Sequence, residues 1–191
     1  MKKIKLPILI LVIAIAIIAI ISISVAVAFM FRKTQPINNV FIPAEVDCKI
    51  NEVFNGKEKT SINVQNTGNI ESYIRMRIVT YWQDSKGNVV ARSSEALSFS
   101  ITDDWFKVGD VYYYKHPVEA GAQTNEFLAS GSKISLKKVD EKVDDVIYTY
   151  YQVVELLAEA IQSKPTNVVK ETWEAVQVDE NGDLQALPST P

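Results

Sequence analysis

Apolar and polar positions alternate through the stretch from Ile70 to Trp82. Ile74, Met76, Ile78 and Trp82 fall on one face, and Tyr73, Arg75, Arg77, Val79 and Tyr81 on the other. A period of two is that of a strand with one face in a core, so these four residues are predicted to form the core strand of the fold. Asn66, Thr67, Gly68 and Asn69 before it, and Asp84 to Asn88 after it, are turn-forming residues. Thr60, Ile62 and Val64 alternate with Ser61, Asn63 and Gln65 in a preceding strand, predicted to pair with the core strand as a hairpin. Earlier still, Val46, Cys48 and Ile50 share a strand face, and Asn55-Gly56 turns the chain back.

Beyond Asn88 the predicted strands shorten. Val89 and Val90, then Leu97, Phe99 and Ile101, suggest two edge or crossing segments, with Asp103-Asp104 as a break. Trp105 to Val108, a turn at Gly109-Asp110 and Val111 to Lys115 follow, and Tyr112, Tyr113 and Tyr114 put rings on both faces of one strand. Tyr is a preferred strand residue, so these rings are read as structural rather than as a stacking platform. The charged run Lys137 to Asp145 is predicted as an exposed loop. Val146 to Ile161 satisfies both periods: Tyr148, Tyr150, Val154 and Leu156 alternate, while Val153, Leu157 and Ile161 have helical spacing. After Pro165, Val169, Trp173 and Val176 share a helical face and predict a short helix, and residues 179–191 read as a turn and a flexible tail.

The amino-terminal segment changes the picture. Lys2, Lys3 and Lys5 precede an uncharged run from Leu6 to Phe31, closed by Arg32 and Lys33. As a helix it exceeds the roughly 30 Å hydrocarbon core of a bilayer. Its length suits a retained membrane anchor, whereas Ala26 and Ala28 form the small-x-small pattern of a signal cleavage site. Both fates stay open. The greater positive charge lies before the run, which places the remainder of the chain outside. Residues 1–33 are therefore a signal peptide or anchor, 34–43 a linker, 44–178 the folded domain. Within the linker Val40, Phe41 and Ile42 are too apolar for an idle connection and read as a strand-exchange segment. The formal charge of the whole chain is −3, and the five charged residues before Thr34 are all basic, so without them it falls by five to −8. An acidic domain of this kind excludes nucleic acid as a partner.

The order FIPAEVDCKINEVFNGKEKTSINVQNTGNIESYIRMRIVTYW, then VYYYKHPVEAGAQT, then AEAIQ before a Pro and a short helix, resembles the TasA and camelysin-like secreted proteins of Gram-positive bacteria. The resemblance runs from about Val40 to Ala175 and implies export through a SipW-type signal peptidase, although FMFRK stands where members commonly carry a polar and aromatic box. It also implies an antiparallel β-sandwich, jelly-roll or Ig-like, with a short C-terminal helix and an N-terminal hydrophobic helix before it. For Val146 to Ile161 it implies a long strand, central enough to bury both faces.

Candidate chemistry is sparse. Cys48 is the single cysteine, which excludes an internal disulfide, and its place on an apolar strand face reads as a core side chain. His116 is the single histidine, too few for the paired ligands of a zinc hydrolase, and no GxSxG marks a serine for it to activate. It is read as an exposed loop residue. Asp179, Asn181 and Asp183 recur as in a calcium loop, but the Gly comes too early and position 12 would be Thr190. Neither an enzyme nor a cofactor is expected. Two functions fit: an exported structural protein of the cell surface or biofilm matrix that self-associates by β-strand addition, or a membrane-anchored extracellular module that recognises peptide or polysaccharide.

Overall fold

The computed structural model describes residues 43–93 and 96–188. The apolar run Leu6 to Phe31 with Ala26 and Ala28, the triplet Val40, Phe41 and Ile42, and residues 189–191 lie outside the described residues. The described chain is mostly β, and its sheets are antiparallel.

The first sheet is built on a hairpin. Strand β1 (Cys48–Phe54) pairs with β2 (Glu58–Asn66), and the Asn55 side chain closes the turn by accepting the amide hydrogens of Lys57 and Glu58 at 3.0 and 2.8 Å. The ladder slips between Asn51 and Val53, opposite Ser61, which has a φ of 47°. A bulge of this kind breaks strict alternation, and Lys59 and Ile62 both end up buried. The short β7 (Ile134–Ser135) pairs on the other side of β2.

The second sheet is built around β3 (Ser72–Asp84), which holds the predicted core strand. Its order is β5 (Trp105–Val108), β6 (Val111–Tyr114), β3, β9 (Val146–Gln162), β8 (Lys138–Val143), with β4 (Val89–Val90) also pairing β3. Ile74 and Met76 are fully buried and Trp82 nearly so; Ile78 is only half-buried, at the margin of the core.

The expected hairpin between β2 and β3 does not form. The chain instead leaves one sheet and enters the other between Asn66 and Ser72. The reason is the corner itself. The Asn66 side chain is fully buried; its Nδ2 donates to the carbonyls of Ile70 and Val118, both at 2.8 Å, and its Oδ1 accepts the Gly68 amide at 3.0 Å. Satisfying three buried backbone groups from one side chain makes a fixed corner rather than a two-residue turn. Residues 45–47 lie against it, with Thr67 donating to the Asp47 carbonyl at 3.0 Å and Asn69 to that of Glu45 at 3.0 Å.

Both faces of the second sheet are covered at one end. One core joins Ile62 and Val64 of the first sheet to Ile74, Met76, Tyr112, Tyr114 and Val154 of the second, with Trp105, Phe127 and Ile134. A second core on the opposite face gathers Tyr73, Val111, Tyr113 and Ile161 beneath Val169, Trp173, Val176 and Leu184. The tyrosine run is therefore structural, with neighbouring rings in different cores. Helix α1 (Asn167–Thr172) is shorter than the apolar spacing suggested; Trp173 ends it, and Val176 opens β10 (Val176–Val178).

Four further expectations need correction. Residues beyond Val178 are not wholly a tail, since β11 (Leu184–Ala186) pairs with β10 and buries Leu184. The run from Lys137 is no loop: β8 pairs with β9 through a tight turn in which Asp144 and Asp145 both have positive φ. Its charges decorate a sheet edge, where they discourage foreign pairing. Leu97 and Phe99 pack against the first core without strand pairing, and only Ile101 makes a bridge, to Leu128. Strand β9 forms along its full 17 residues, as the resemblance implies, but its faces are not both buried: Ile147 is 67% exposed and Leu157 51%.

Candidate functional site

Strand β9 is longer than its partner on one side. On the β3 side it is paired from Tyr150 to Gln162, and on the other side β8 pairs only with Val146 to Tyr151. From Val153 to Gln162 the edge away from β3 therefore has no strand beside it among the described residues. Strand β1 has the same character: among the described residues it pairs with β2 alone and leaves its other edge open. A β ladder presents amide and carbonyl groups on both edges, so each open edge is a row of unmet donors and acceptors.

These two open edges border one lateral groove. It holds three cavities in series, of about 500, 270 and 340 Å³, each lined by residues of both the β1 side and β9. Ile50, Val154 and Leu156 line its middle, while at the end nearest Cys48 its lining is of small side chains, Cys48 from β1 with Ala158 and Ala160 from β9, all packed against the first core. Larger residues at these positions would fill the space between the sheets. Apolar side chains that a closed wall would cover remain in water, with Val53 at 57%, Phe54 at 49% and Leu157 at 51% exposure.

Several of the charges flanking the groove are paired. Arg75 binds Glu159 through Nε and Nη2 at 2.8 and 2.5 Å and lies 4.9 Å over the Trp173 ring. Tyr81 donates to Glu155 at 2.7 Å, and Lys59 meets Glu52 at 2.5 Å. Along these stretches the groove offers a visitor backbone and apolar surface. Burial, then the nearby Asp47 and Glu159 carboxylates, push the Cys48 thiol up to about 11. A thiol so placed is mostly uncharged at pH 8, so alkylation of the native protein by iodoacetamide is expected to run about a hundredfold slower than in denaturant. Equal rates would show Cys48 to be free of both influences.

The predicted core residues Ile74, Met76, Ile78 and Trp82 all lie on β3, across β9 from the groove; they support it and do not line it. Val40, Phe41 and Ile42 lie outside the described residues, immediately before Pro43, whose carbonyl accepts from the Asn69 side chain at 2.8 Å. His116 is not the solitary loop residue expected. Its Nδ1 lies 2.7 Å from Asp183, its Nε2 3.7 Å from Asp104, and its ring packs edge-on to Tyr114. Nothing local signals this, because Asp183 is brought from 67 positions away. The cluster ties the C-terminal hairpin to β6 and holds no nucleophile beside the ring. The Asp179 carboxylate accepts the amides of Asp183 and Asn181 at 2.9 and 2.8 Å, and those bonds hold it below the usual carboxylate range. The calcium-like spacing is thus a hairpin turn. Among the described residues no cluster of three or more His, Cys, Asp or Glu is placed to hold a metal ion.

No family model, curated protein or solved structure matches this chain, so what can be said of the groove rests on its own geometry.

Proposed function

We propose that this chain is an exported structural protein of the cell surface or extracellular biofilm matrix, and that it self-associates by adding a strand at the groove between β1 and β9. The observation that carries the reading is the open edge of Val153 to Gln162, which borders a groove shared with β1 and lined at one end by small side chains. A strand laid along the β9 edge would meet its open ladder groups and cover Leu157, the two gains that drive β-augmentation. The donor in this proposal is Val40, Phe41 and Ile42 of a neighbouring copy. Head-to-tail donation of this kind propagates as an open filament.

The resemblance to TasA and camelysin-like proteins points the same way, and with it come the finer parts of the proposal. The two sheets are then a jelly-roll or Ig-like sandwich, and a SipW-type signal peptidase frees the arm by cutting near Ala26 or Ala28. If the apolar helix is kept, the membrane holds the arm and the chain is displayed singly. We read the protein as non-enzymatic, because its single histidine is too few for the paired ligands of a zinc hydrolase and no GxSxG marks a serine for it to activate.

Protein beginning at Phe29 is expected to polymerise, as followed by light scattering and electron microscopy, and protein beginning at Ala44 to remain monomeric. An Ala158→Trp substitution, which fills the groove, should block growth even when the arm is present. Equal behaviour of the long and short forms would remove strand donation and leave an anchored binding module as the better reading.

A further inference from the structure

The largest of the three cavities, at the β1–β2 hairpin end of the groove, has a chemistry of its own. It holds about 500 Å³, within the size range of small-ligand sites. Gln152 lines it and is only 3% exposed. Its Oε1 accepts the backbone amide of Lys137 at 3.1 Å, which fixes the orientation of the side-chain amide. Among the described residues the Nε2 is then left buried with no hydrogen-bond partner. A buried amide donor without an acceptor costs free energy that a visiting oxygen would return.

The rest of the lining says what kind of oxygen. Lys57, Lys59 and Lys138 face the cavity along with one acidic residue, Glu155, in a chain whose overall charge is negative. Lys59 is spent on Glu52 at 2.5 Å, and Lys138 has only a loose contact of 3.3 Å to Asp140 on its own strand. Two aromatic rings, Phe54 and Tyr151, are 49% and 40% exposed beside these ammonium groups. Flat apolar faces next to cations and a lone amide donor suit a ring that carries a carboxylate.

We propose that this cavity binds a uronic acid unit of an acidic polysaccharide, its carboxylate between Lys57 and Lys138, a ring or carboxylate oxygen on Gln152 Nε2, and its C–H face on Tyr151. An extended acidic peptide fits less well. At this end the β9 edge is already used, since the Gln152 amide donates to the Lys137 carbonyl at 2.8 Å, and the ladder that would hold a peptide begins only beyond it. A phosphate is also disfavoured, because the lining has neither an arginine fork nor a helix N-terminus. The site meets the strand-addition edge at Val153 to Glu155, but Lys57, Lys138, Tyr151 and Gln152 lie outside that edge, so the proposal does not depend on that reading.

The test is calorimetric titration of the full chain with a galacturonic acid trisaccharide, a neutral galactose trisaccharide and triglutamate. The acidic sugar is expected to bind, more weakly as salt rises, and the neutral sugar about tenfold less well. Gln152→Glu keeps the acceptor for Lys137 and replaces the donor with a repelling oxygen, so affinity for the acidic sugar should fall by at least about tenfold. Lys57→Gln changes an exposed side chain and serves as the variant whose folding is not at issue; it should lose affinity in the same direction. No binding of the acidic sugar, equal binding of the neutral one, unchanged affinity in both variants, or tighter binding of triglutamate would each overturn the proposal.

Discussion

Ile74→Asp is expected to unfold the domain, while Ile78→Asp should leave it folded with a lowered melting temperature. Ile74 is fully buried between the two sheets, so a carboxylate there has neither water nor a partner. Burying such a group costs several kcal/mol, comparable with the roughly 5 to 15 kcal/mol that holds a domain together. Ile78 lies two pairs further along the same face but is half-buried, and its replacement can turn its charge toward solvent. Alternation alone assigns the two positions equal weight. Circular dichroism melts of the two variants check the distinction, and coincident curves would place both residues at the same depth.

Gly68→Ala should cost on the order of 2 to 4 kcal/mol, the scale of an overpacked site that cannot relax. A Cβ at Gly68 would lie 2.3 Å from the Glu45 carbonyl oxygen and 3.0 Å from the Asp47 nitrogen. Both are backbone atoms of a segment held in place by hydrogen bonds, from the Asn69 amide to the Glu45 carbonyl and from the Thr67 amide to the Asp47 carbonyl, each 3.0 Å long. Neither can move without giving up a bond that closes the corner between the sheets. Gly87→Ala is the control: nothing lies within 4 Å of its would-be Cβ, so only its φ of 84° is strained. That should cost about 1 to 2 kcal/mol. Urea denaturation of the two variants should separate them, and a smaller loss at Gly68 than at Gly87 would mean that residues 45–47 do not press on the corner.

Local signals in the sequence report strands and turns here, but not pairing. Alternation from Ile70 to Trp82 located β3, Asn55-Gly56 marked the β1–β2 turn, and Gly109-Asp110 marked the β5–β6 turn. Each is a matter of a few adjacent residues. The partner of β3 is another matter, because an alternating strand carries no record of which edge will meet it. Asn66 looked like one more turn former, since a buried hydrogen-bonding corner and an exposed turn use the same residue. The second core was hidden because Tyr73 and Tyr113 stand where an outward face was expected, and only Val169, Trp173 and Val176 hinted at a cover. The groove could not be read at all, because it arises from β8 stopping before β9 does. Gln152 left a usable trace: it is a polar residue at an inward position of an apolar strand, two places from Val154.

The pairing of β3 with β9 also sets an order of events during synthesis. Ser72 faces Gln162 and Asp84 faces Tyr150, so every pair in this ladder joins residues at least 66 positions apart. Contacts of such long sequence range form late, because loop closure must be met before they contribute. A chain made from its amino end presents β3 well before Val146 exists, and for that interval one whole side of the central strand has nothing to bind. Folding therefore waits on the last third of the polypeptide, and a chain cut short before Val146 would keep β3 as a sticky edge for its whole lifetime.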